Sequence, residues 1–597
     1  MAALGAAEYQ GPLKDVTPAA TPVTFAGTVG LFMPAAAPTS QTAVLFLSPW
    51  GFEEMCTRKF WRILAEDFAK EGIASLRFDY AGTGDALDVD DPGEGLALWE
   101  GTALAAAGML RSLSGCERLI LVSQGLGSVV ALDIAEQLSG VDGIAFLAPT
   151  ISGRAYLREL TVWSKMIDEG MGLTEAQRRA EGVTIASLQM PDSIAAAVKK
   201  LNLMTLAHIS APDCLVLTRP GRPGDADFAA HLETLGPRVE RSAYEGYDEL
   251  VSNPTVATMP LEAGRKVLDW ARSIATEESA TASRRILRAP RAEPLIGDGF
   301  RETPLRFGEG NRLSGILCEP TGTRAGATAL LLTTAYDRHA GWGRMSVTMA
   351  RTLARDGIPS LRFDTANVAD SPPLPDAQEQ VLYSPAQLQD VSAALDLLEA
   401  EKLLPAFAVG RCSGGYLAYQ SAIQDGRCGG LITVNPYAFF WDETQPVEEA
   451  LRFVPRSLET YGQKFLQFET LKRLYGGQID AKSAARNIVV ALARRAVRLG
   501  RPLLGVLPFF AGEHETVING FRSLVKRQVD ISLIYSAHDI GLDHFREHFG
   551  EDAAGLKNFP DIRLTIIPDT DHNLTPPYAR KVYLREVKEM GLRLWRR

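Results

Sequence analysis

The chain has 597 residues, more than one ordinary domain holds, and this length predicts two to four domains. With 46% hydrophobic and 22% charged residues, its composition is that of a soluble globular protein. The net charge of −10 argues against general nucleic-acid binding, and no nucleic-acid partner is expected.

The cysteines and the N-terminal stretch bear on the cellular compartment of the protein. Six cysteines are scattered without CxxC spacing or a Cys/His cluster, so we expect a reducing, cytoplasmic environment with no metal and no cofactor. Residues 1–22 have neither a basic start nor an apolar core and are not expected to be a secretory signal. No apolar run reaches the roughly 18 residues that a membrane-spanning helix needs.

The first half of the chain predicts an alternation of strands and helices. A hairpin over residues 23–33 precedes an apolar strand at 43–47. Residues 60–86, FWRILAEDFAKEGIASLRFDYAGTGDA, show a helical pattern, a Gly stop, a short strand ending Leu-Arg-Phe-Asp and a polar loop. Another helix, a strand at 119–122 with an elbow-like turn, and a helical insertion from about 150 to 211 follow.

The second half repeats this order. Residues 345–371, MSVTMARTLARDGIPSLRFDTANVADS, have the same plan as the equivalent stretch of the first half. A hairpin at 304–318 and a strand at 329–332 precede them, and a strand at 406–409 and a longer helical insertion, about 436 to 528, follow. Alternating strands and helices predict an α/β chain, a tandem duplication of mostly parallel sheets with helices on both faces.

A polar stretch separates the two copies. Residues 273–295 are polar and end in Pro-rich sequence, as expected of a linker. The expected domains are therefore 1–272 and 296–597, each with an insertion placed as a cap over the C-terminal edge of its sheet.

The turn after the strand at 406–409 carries a reactive side chain. GRCSGG at 410–415 places small residues two positions either side of Cys412, which is the pattern of a nucleophile elbow. Such a turn lifts the side chain to a helix N-terminus, where the helix dipole favours a thiolate. The alternative interpretation is a buried cysteine in a glycine-rich turn.

These motifs carry a family resemblance. The strand order, elbow and late insertion make both copies resemble the α/β-hydrolase fold, over nearly the whole chain. GRCSGG is similar to the G-x-C-x-G-G turn of dienelactone hydrolases, which use cysteine in place of serine. RFD after a helix, with GRCSGGYLA later, resembles the serine-aminopeptidase-type hydrolases found near bacterial polysaccharide-assembly systems. The resemblance implies more about fold than about substrate.

The remaining members of a catalytic triad are predicted from chain order. A hydrolase of this fold needs a nucleophile, an acid and a histidine in that order. Asp539 follows a predicted strand at 529–535, and His572 follows another at 562–567. We expect His572 to take the Cys412 proton and later activate water, while Asp539 fixes the imidazole tautomer.

Other assignments stay open in this region. Asp543 is a second acid candidate, Asp571 is placed to orient the histidine locally, and Asp539 has the alternative of an ordinary turn residue. His538 precedes the last strand and falls at the wrong place for the catalytic imidazole.

An oxyanion hole and an apolar pocket are expected around Cys412. The first oxyanion donor is the backbone N–H of Ser413; the second comes from Ala335 or Tyr336, and Tyr336 has the alternative role of lining the pocket. The predicted substrate-binding residues are the one before the nucleophile and a cluster of aromatics: Arg411, Tyr437, Phe439, Phe440 and Trp441.

The first copy lacks this chemistry. Aligning the elbows places Gly125 where the nucleophile stands and Asp248 where the histidine stands, while Gly221 or Arg222 faces the acid position. Ser123 is two residues too early to substitute. We therefore expect a pseudo-hydrolase that supports the second copy by packing or by shaping access.

Two features leave alternatives open. A separate ligand site near Trp50, Gly51 and Gly125 is the alternative for the first copy. Residues 481–512 contain no Asp or Glu but six basic residues: Lys482, Arg486, Arg494, Arg495, Arg498 and Arg501. This stretch predicts a cap helix with its arginines in water, or a docking face for CoA, an acyl carrier protein or an acidic membrane surface.

The sequence as a whole predicts an enzyme. The first hypothesis is a cysteine-dependent hydrolase of an ester, thioester or lactone that works through an acyl-thioester. One alternative passes the acyl group to an alcohol or amine, as in polyester synthases that also carry G-x-C-x-G; another is a non-catalytic pseudo-hydrolase scaffold. The expected partner is a small-molecule acyl substrate, and the oligomeric state stays open.

Overall fold

The structure is a computed structural model that describes residues 19–37, 40–90, 93, 95–178, 182–275, 292–375, 377, 379–442, 447 and 508–597. Most of the predicted second insertion, with its arginine-rich stretch, lies outside the described residues, as does most of the predicted linker.

Strands and helices alternate through the first half of the chain. Its strands are β1 (Thr21–Phe25), β2 (Thr28–Met33), β3 (Thr42–Leu47), β4 (Ser75–Phe78), β5 (Arg118–Gln124), β6 (Val141–Leu147), β7 (Val183–Ile185), β8 (Leu188–Met190), β9 (Asp213–Thr218) and β10 (Arg238–Ala243). Its helices are α1 (Phe52–Lys70), α2 (Ala97–Ser114), α3 (Gly127–Ala135), α4 (Gly153–Gly170), α5 (Asp192–Lys200), α6 (Pro223–Thr234), α7 (Tyr247–Leu250) and α8 (Leu261–Ile274). Eight strands form one sheet in the order β1-β2-β4-β3-β5-β6-β9-β10, and β7 pairs with β8 alone.

The second half has the same alternation. Its strands are β11 (Leu295–Gly297), β12 (Phe300–Phe307), β13 (Leu313–Pro320), β14 (Thr328–Leu332), β15 (Ser360–Phe363), β16 (Ala406–Arg411), β17 (Cys428–Val434), β18 (Asp530–Ser536) and β19 (Arg563–Ile567). Its described helices are α9 (Met345–Arg355), α10 (Pro385–Ala400), α11 (Ser413–Gln424), α12 (Pro508–Lys526), α13 (Ile540–Phe549) and α14 (Pro577–Trp595). The sheet order is β11-β12-β13-β15-β14-β16-β17-β18-β19.

Both sheets have the strand order of the α/β-hydrolase fold. Apart from β11 at the edge, each runs first, second, fourth, third, fifth, sixth, seventh and eighth. The first two strands form an antiparallel hairpin, and the strands from the third onward pair in parallel. The central strands read as near-continuous apolar runs, TAVLFL in β3 and TALLL in β14, because helices cover both faces of a parallel sheet.

The first insertion differs in one respect from the helical segment predicted for residues 150–211. It contains α4 and α5, but the antiparallel hairpin of β7 and β8 lies between them. Its strands are only three residues each, too short to give a detectable alternation of apolar and polar residues.

The two sheets meet through the polar loops that follow β4 and β15. Asp85, in the loop after β4, accepts hydrogen bonds from Arg338 at 2.6 Å and from Arg362 at 3.0 Å, and its Oδ2 lies 2.8 Å from His339 Nε2. Burial alone would lower the pKa of His339, but the carboxylates of Asp364 and Asp85 raise that pKa to about 9. The imidazole is therefore a cation at neutral pH.

The loop after β15 makes the reciprocal contacts. Asp370 accepts from Arg58 at 2.8 Å and from Arg77 at 2.5 Å, and the three side chains are at most 3% exposed. Arg77 on β4 thus pairs with Asp370, as Arg362 on β15 pairs with Asp85. The two copies are joined by a buried layer of ion pairs with approximate twofold symmetry.

None of the helices in the described ranges is both long and apolar enough to span a bilayer.

Candidate active site

Cys412 stands at the tip of a sharp turn between β16 and α11. Its φ is 53° and its ψ is −121°, a strained conformation for a residue with a side chain. A Cβ at Gly410 would lie 2.0 Å from the Gly414 carbonyl oxygen, and one at Gly414 would lie 2.6 Å from the Thr333 carbonyl oxygen. The turn therefore needs glycine at both positions, and it leaves Cys412 half-buried at a helix N-terminus.

The structure brings together the three residues that the sequence placed in chain order. Asp539, which ends the loop after β18, is the N-cap of α13 and accepts from Gly541 N–H at 2.8 Å. Its other oxygen lies 2.6 Å from His572 Nδ1. The charge of His572 also lowers the pKa of the Cys412 thiol, which places the imidazole near the sulfur. The arrangement is a thiol, an imidazole and a carboxylate in series.

Electrostatics in this series favours an ion pair. Burial alone would raise the pKa of Cys412, but the charge and hydrogen bond of His572, the charge of Arg411 and the Ser413 N–H together lower it. Burial alone would lower the pKa of His572, but the charges of Asp539 and Cys412 raise it to about 10. The thiol proton is thus favoured on the imidazole.

The other acids near the histidine have different partners. Asp571 accepts from the N–H groups of Asn573 at 3.1 Å and Thr575 at 2.6 Å, so its carboxylate closes the loop. Asp543 lies 3.4 Å from Arg546 on α13. Asp539 is the carboxylate that contacts the ring of His572.

The predicted oxyanion donors lie on both sides of the elbow. The Ser413 N–H contributes to lowering the pKa of Cys412. The Ala335 N–H donates to the Ser413 hydroxyl at 2.7 Å, and that hydroxyl keeps its own hydrogen as a donor. The hydroxyl of Tyr336 donates to Gln380 Oε1 at 3.0 Å.

Arg411, predicted to bind substrate, lies beneath the elbow. It is 5% exposed, and its guanidinium contacts Asn573 and lies 3.5 Å from Asp337. Burial raises the pKa of Asp337 to about 6, although Arg411 opposes the shift. Arg411, the residue before the nucleophile, is thus hydrogen-bonded to Asn573, the residue after His572.

Asn435 is a positioning residue that the sequence analysis missed. Its side chain donates to the carbonyl of His572 at 3.0 Å and to the Ser536 hydroxyl at 2.9 Å, and it accepts the Ser536 N–H at 2.7 Å. The signal in the sequence is an Asn-Pro pair directly after β17. The side chain fixes the His572 loop against β18.

The predicted aromatic cluster divides into two groups. Trp441 stacks on Tyr383 with ring centroids 4.7 Å apart, and the negative charge of Cys412 adds to the burial that raises the pKa of Tyr383. Tyr437 acts on Tyr383 in the same way. Phe439 instead packs against the core residues Tyr419 and Phe521, and Phe440 is partly buried against that core. Tyr383 is therefore the aromatic whose pKa responds to Cys412, and Trp441 stacks on it.

The elbow of the first copy holds a carboxylate. Gly125 has a φ of 53°, equal to that of Cys412, and its N–H bonds to the end of β6 as the Cys412 N–H bonds to the end of β17. A Cβ at Gly125 would lie 2.6 Å from Glu53 Oε2. Glu53 is 5% exposed, accepts from Gln124 at 3.0 Å and lies 3.2 Å from the Tyr247 hydroxyl. Burial raises the pKa of Glu53.

The remaining triad positions of the first copy have other surroundings. Asp248 is exposed on α7, and Arg222 pairs with Glu159 at 2.5 Å. Ser123 is fully buried and donates to the Ala145 carbonyl at 2.8 Å. Trp50 is buried, and Gly51 is the N-cap of α1.

The insertion of the first copy contacts the histidine loop of the second. Asn573 Nδ2 lies 3.3 Å from the sulfur of Met171, at the end of α4. Ser187, in the turn between β7 and β8, lies 3.4 Å from the Thr575 hydroxyl. The first copy therefore supports the loop that carries His572.

No protein-family model matches the chain, and no curated protein matches it. Among solved structures, it is similar to a dienelactone hydrolase from Anabaena variabilis, with 14% identity over 49% of this chain and 97% of that one and a TM-score of 0.29. An esterase from Pyrococcus furiosus matches at 13% identity over 49% and 90%, with a TM-score of 0.30. A proline iminopeptidase from Mycobacterium smegmatis matches at 15% over 49% and 99%, with a TM-score of 0.29. Matches this distant carry no information about activity.

Proposed function

We propose that the protein is a cysteine-dependent hydrolase of an ester, thioester or lactone, and that Cys412, His572 and Asp539 act as its triad. The observation that carries the proposal is the 2.6 Å contact between His572 Nδ1 and Asp539 Oδ2, together with the lowering of the Cys412 pKa by His572. Cys412 stands at a strained strand-to-helix turn, which is the position that nucleophiles of this fold occupy.

The first half-reaction forms an acyl-enzyme. The Cys412 thiolate attacks the carbonyl carbon of the substrate, and a carbon–sulfur bond forms. The negative charge that develops on the carbonyl oxygen is stabilised by the Ser413 N–H and by a donor of the 333–336 loop. When the bond to the leaving alcohol, thiol or ring oxygen breaks, the imidazolium of His572 supplies its proton.

The second half-reaction releases the acid. His572, now neutral, takes a proton from water, and the oxygen of that water attacks the thioester carbonyl. The carbon–sulfur bond breaks, the acid leaves, and Cys412 returns as a thiolate opposite the imidazolium. Asp539 accepts from Nδ1 throughout, which leaves Nε2 for the sulfur and the water.

Acyl transfer shares the first half-reaction and differs in the acceptor. An alcohol or amine would replace water, and the aromatic wall of Tyr383 and Trp441 would exclude water from the thioester. The partition of a trapped acyl-enzyme between water and added alcohols or amines separates the two activities.

Labelling with a thiol-reactive acyl probe tests the proposal. The other five cysteines are buried, so we expect one acyl group per chain, located on Cys412 by mass spectrometry. Cys412→Ala should abolish labelling, and Cys116→Ala is the matched control that should leave it intact. If no adduct forms on Cys412, the non-catalytic scaffold is the better description.

A further proposal concerns acyl donors that carry phosphate. Arg494, Arg495 and Arg498 belong to the basic stretch outside the described residues. If that stretch docks CoA or an acyl carrier protein, replacing the three by Gln should slow reaction with those donors and leave small neutral esters unchanged. Equal effects on both substrate types would leave only the interpretation of a cap helix with its arginines in water.

A further inference from the structure

A second cluster of chemically reactive side chains lies on α12 and α13. Glu513, His544 and His548 each offer one ligand atom, and these three atoms lie within 4.8 Å of one another. The Nε2 atoms of His544 and His548 are 3.5 Å and 3.9 Å from Glu513 Oε1. Since the two histidines are four residues apart on one helix, α13 itself directs both rings to the same side.

His514 holds one of the rings. Its Nδ1 lies 3.4 Å from Nδ1 of His548, and the two rings are parallel within 6°, with centroids 5.6 Å apart. His548 therefore turns Nδ1 toward His514 and Nε2 toward Glu513. Metal-binding histidines show this division, with one nitrogen on the metal and the other held by a neighbouring polar group.

The spacing of the three ligand atoms fits a small divalent ion. Metal–ligand bonds of about 2.0–2.2 Å at a tetrahedral centre put ligand atoms about 3.3 Å apart. The observed 3.5 Å and 3.9 Å exceed this spacing by a few tenths of an ångström, and all three ligand atoms lie within 4.8 Å of one another. The side chain of Glu513 is 46% exposed. The side chain of His548 is 1% exposed, so this ligand lies on the buried side of the cluster.

We propose that Glu513, His544 and His548 bind one Zn²⁺ ion, with a fourth position open to water. Two imidazoles and a carboxylate are a donor set that zinc accepts in proteins. The two histidines have the i, i+4 spacing of metal ligands on one helix, but the third ligand, Glu513, lies on a different helix, so the sequence around the histidines does not show the full ligand set.

The ion would connect the predicted cap to the triad. α12 follows residues 448–507, and α13 begins directly after Asp539. Crosslinking the two helices by a metal fixes the start of α12 against the helix whose N-cap contacts His572. Zinc should therefore raise the melting temperature of the protein.

Equilibrium dialysis with Zn²⁺ tests the proposal on the full-length Cys412→Ala variant. This background is needed because a thiolate beside an imidazole is itself a zinc-binding pair. We expect one zinc per chain, a raised melting temperature, and a Co²⁺ complex with the absorption of a four-coordinate site. Glu513→Gln and His544→Ala, which change partly exposed side chains, should lose this binding. His514→Ala should weaken it by about 10- to 100-fold.

His208→Ala is the matched control. His208 is an exposed histidine 3.1 Å from a glutamate, Glu136, in the first copy, and its loss should leave zinc binding unchanged. The proposal is wrong if the Cys412→Ala protein binds no zinc. It is also wrong if Glu513→Gln and His544→Ala, shown to be folded by circular dichroism, bind zinc as tightly as their parent.

Discussion

At the nucleophile, three positive influences oppose the cost of burying a thiolate. Burial disfavours the charge on Cys412, but His572, Arg411 and the Ser413 N–H outweigh it and lower the pKa of the thiol. Arg411 is held by Asp337 and Asn573, so its charge stays under the elbow. In the proposed mechanism this guanidinium acts by lowering the pKa of the Cys412 thiol.

The triad is tested by removing its members. Cys412→Ala and His572→Ala should each lower kcat/KM by at least about a thousandfold, because nucleophile and base act as a unit. Cys412→Ser should lose most activity without complete inactivity, since serine is a poorer nucleophile in a site tuned for a thiolate. Steady-state kinetics with melting curves as the folding control measures the effect. Near-wild-type turnover of either alanine variant would eliminate the mechanism.

The pH dependence follows from the two shifted pKa values. In the proposed mechanism the active pair is thiolate and imidazolium, so kcat/KM should rise with pH through the lowered pKa of Cys412. It should fall as pH passes about 10, the pKa of His572. Asp539→Asn removes the charge that raises the histidine pKa and should move the alkaline limb to lower pH. An alkaline limb that Asp539→Asn leaves in place would contradict this account.

At the scale of the elements, the two elbows have the same φ at the tip, but the tip carries the Cys412 side chain in the second copy and lies against the Glu53 carboxylate in the first. Gly125→Ser in the first copy should create no active site, because Asp248 stands where the histidine would be. The added Cβ would meet the Glu53 carboxylate at 2.6 Å, and a positive φ is costly for serine. We expect a loss of about 1–3 kcal/mol in unfolding free energy from the strained backbone alone, and more from the contact.

Gly115→Ser is the matched control for this prediction. Gly115 also has a positive φ, 67°, but a Cβ there meets nothing within 4 Å. The difference between the two variants in urea unfolding isolates the Glu53 contact. In the Gly125→Ser, Cys412→Ala double variant, a stoichiometric acyl adduct on the new serine that turns over would overturn the one-site interpretation.

The insertion of the first copy should affect turnover through the His572 loop. Met171→Ala removes a side chain that contacts Asn573, and a misplaced imidazole costs up to about a hundredfold in rate. We expect kcat to fall with little change in melting temperature. Met166→Ala, a 65% exposed methionine on α4, is the control and should have wild-type kinetics. Equal kcat for the two variants would show that the contact does not position the loop.

Local patterns predicted the elements well. The expected strand at 43–47 is β3 (Thr42–Leu47), and the one at 406–409 is β16 (Ala406–Arg411), because apolar runs and glycines mark such strands directly. The elbow was visible because its geometry demands glycine. Asn435 and Glu53 were not, since their contacts join segments distant in sequence. Such pairings leave no periodicity within any one element.

For the whole molecule, the layer of ion pairs between the two sheets is the main addition to the predicted duplication. Asp370→Asn would leave Arg77 buried without its paired carboxylate and would leave Arg58 with Asp79 as its remaining buried partner, and we expect a loss of about 3–5 kcal/mol in unfolding free energy. Asp67→Asn, in an exposed pair with Lys70 at 2.8 Å, is the control and should cost at most about 0.5 kcal/mol. Equal losses in denaturant titrations would show that burial adds nothing to the pairing.

The reciprocal contacts of Arg77 with Asp370 and of Arg362 with Asp85 are those of a symmetric dimer, placed within one chain. Two separate subunits joined this way would dissociate on dilution, whereas covalently joined copies meet at an effective concentration that no dilution lowers. The copy that carries Cys412 therefore stays paired with the first copy at any protein concentration. Cleavage at a protease site engineered between residues 280 and 290 should make the activity depend on protein concentration, so that the activity of the nicked protein falls as it is diluted.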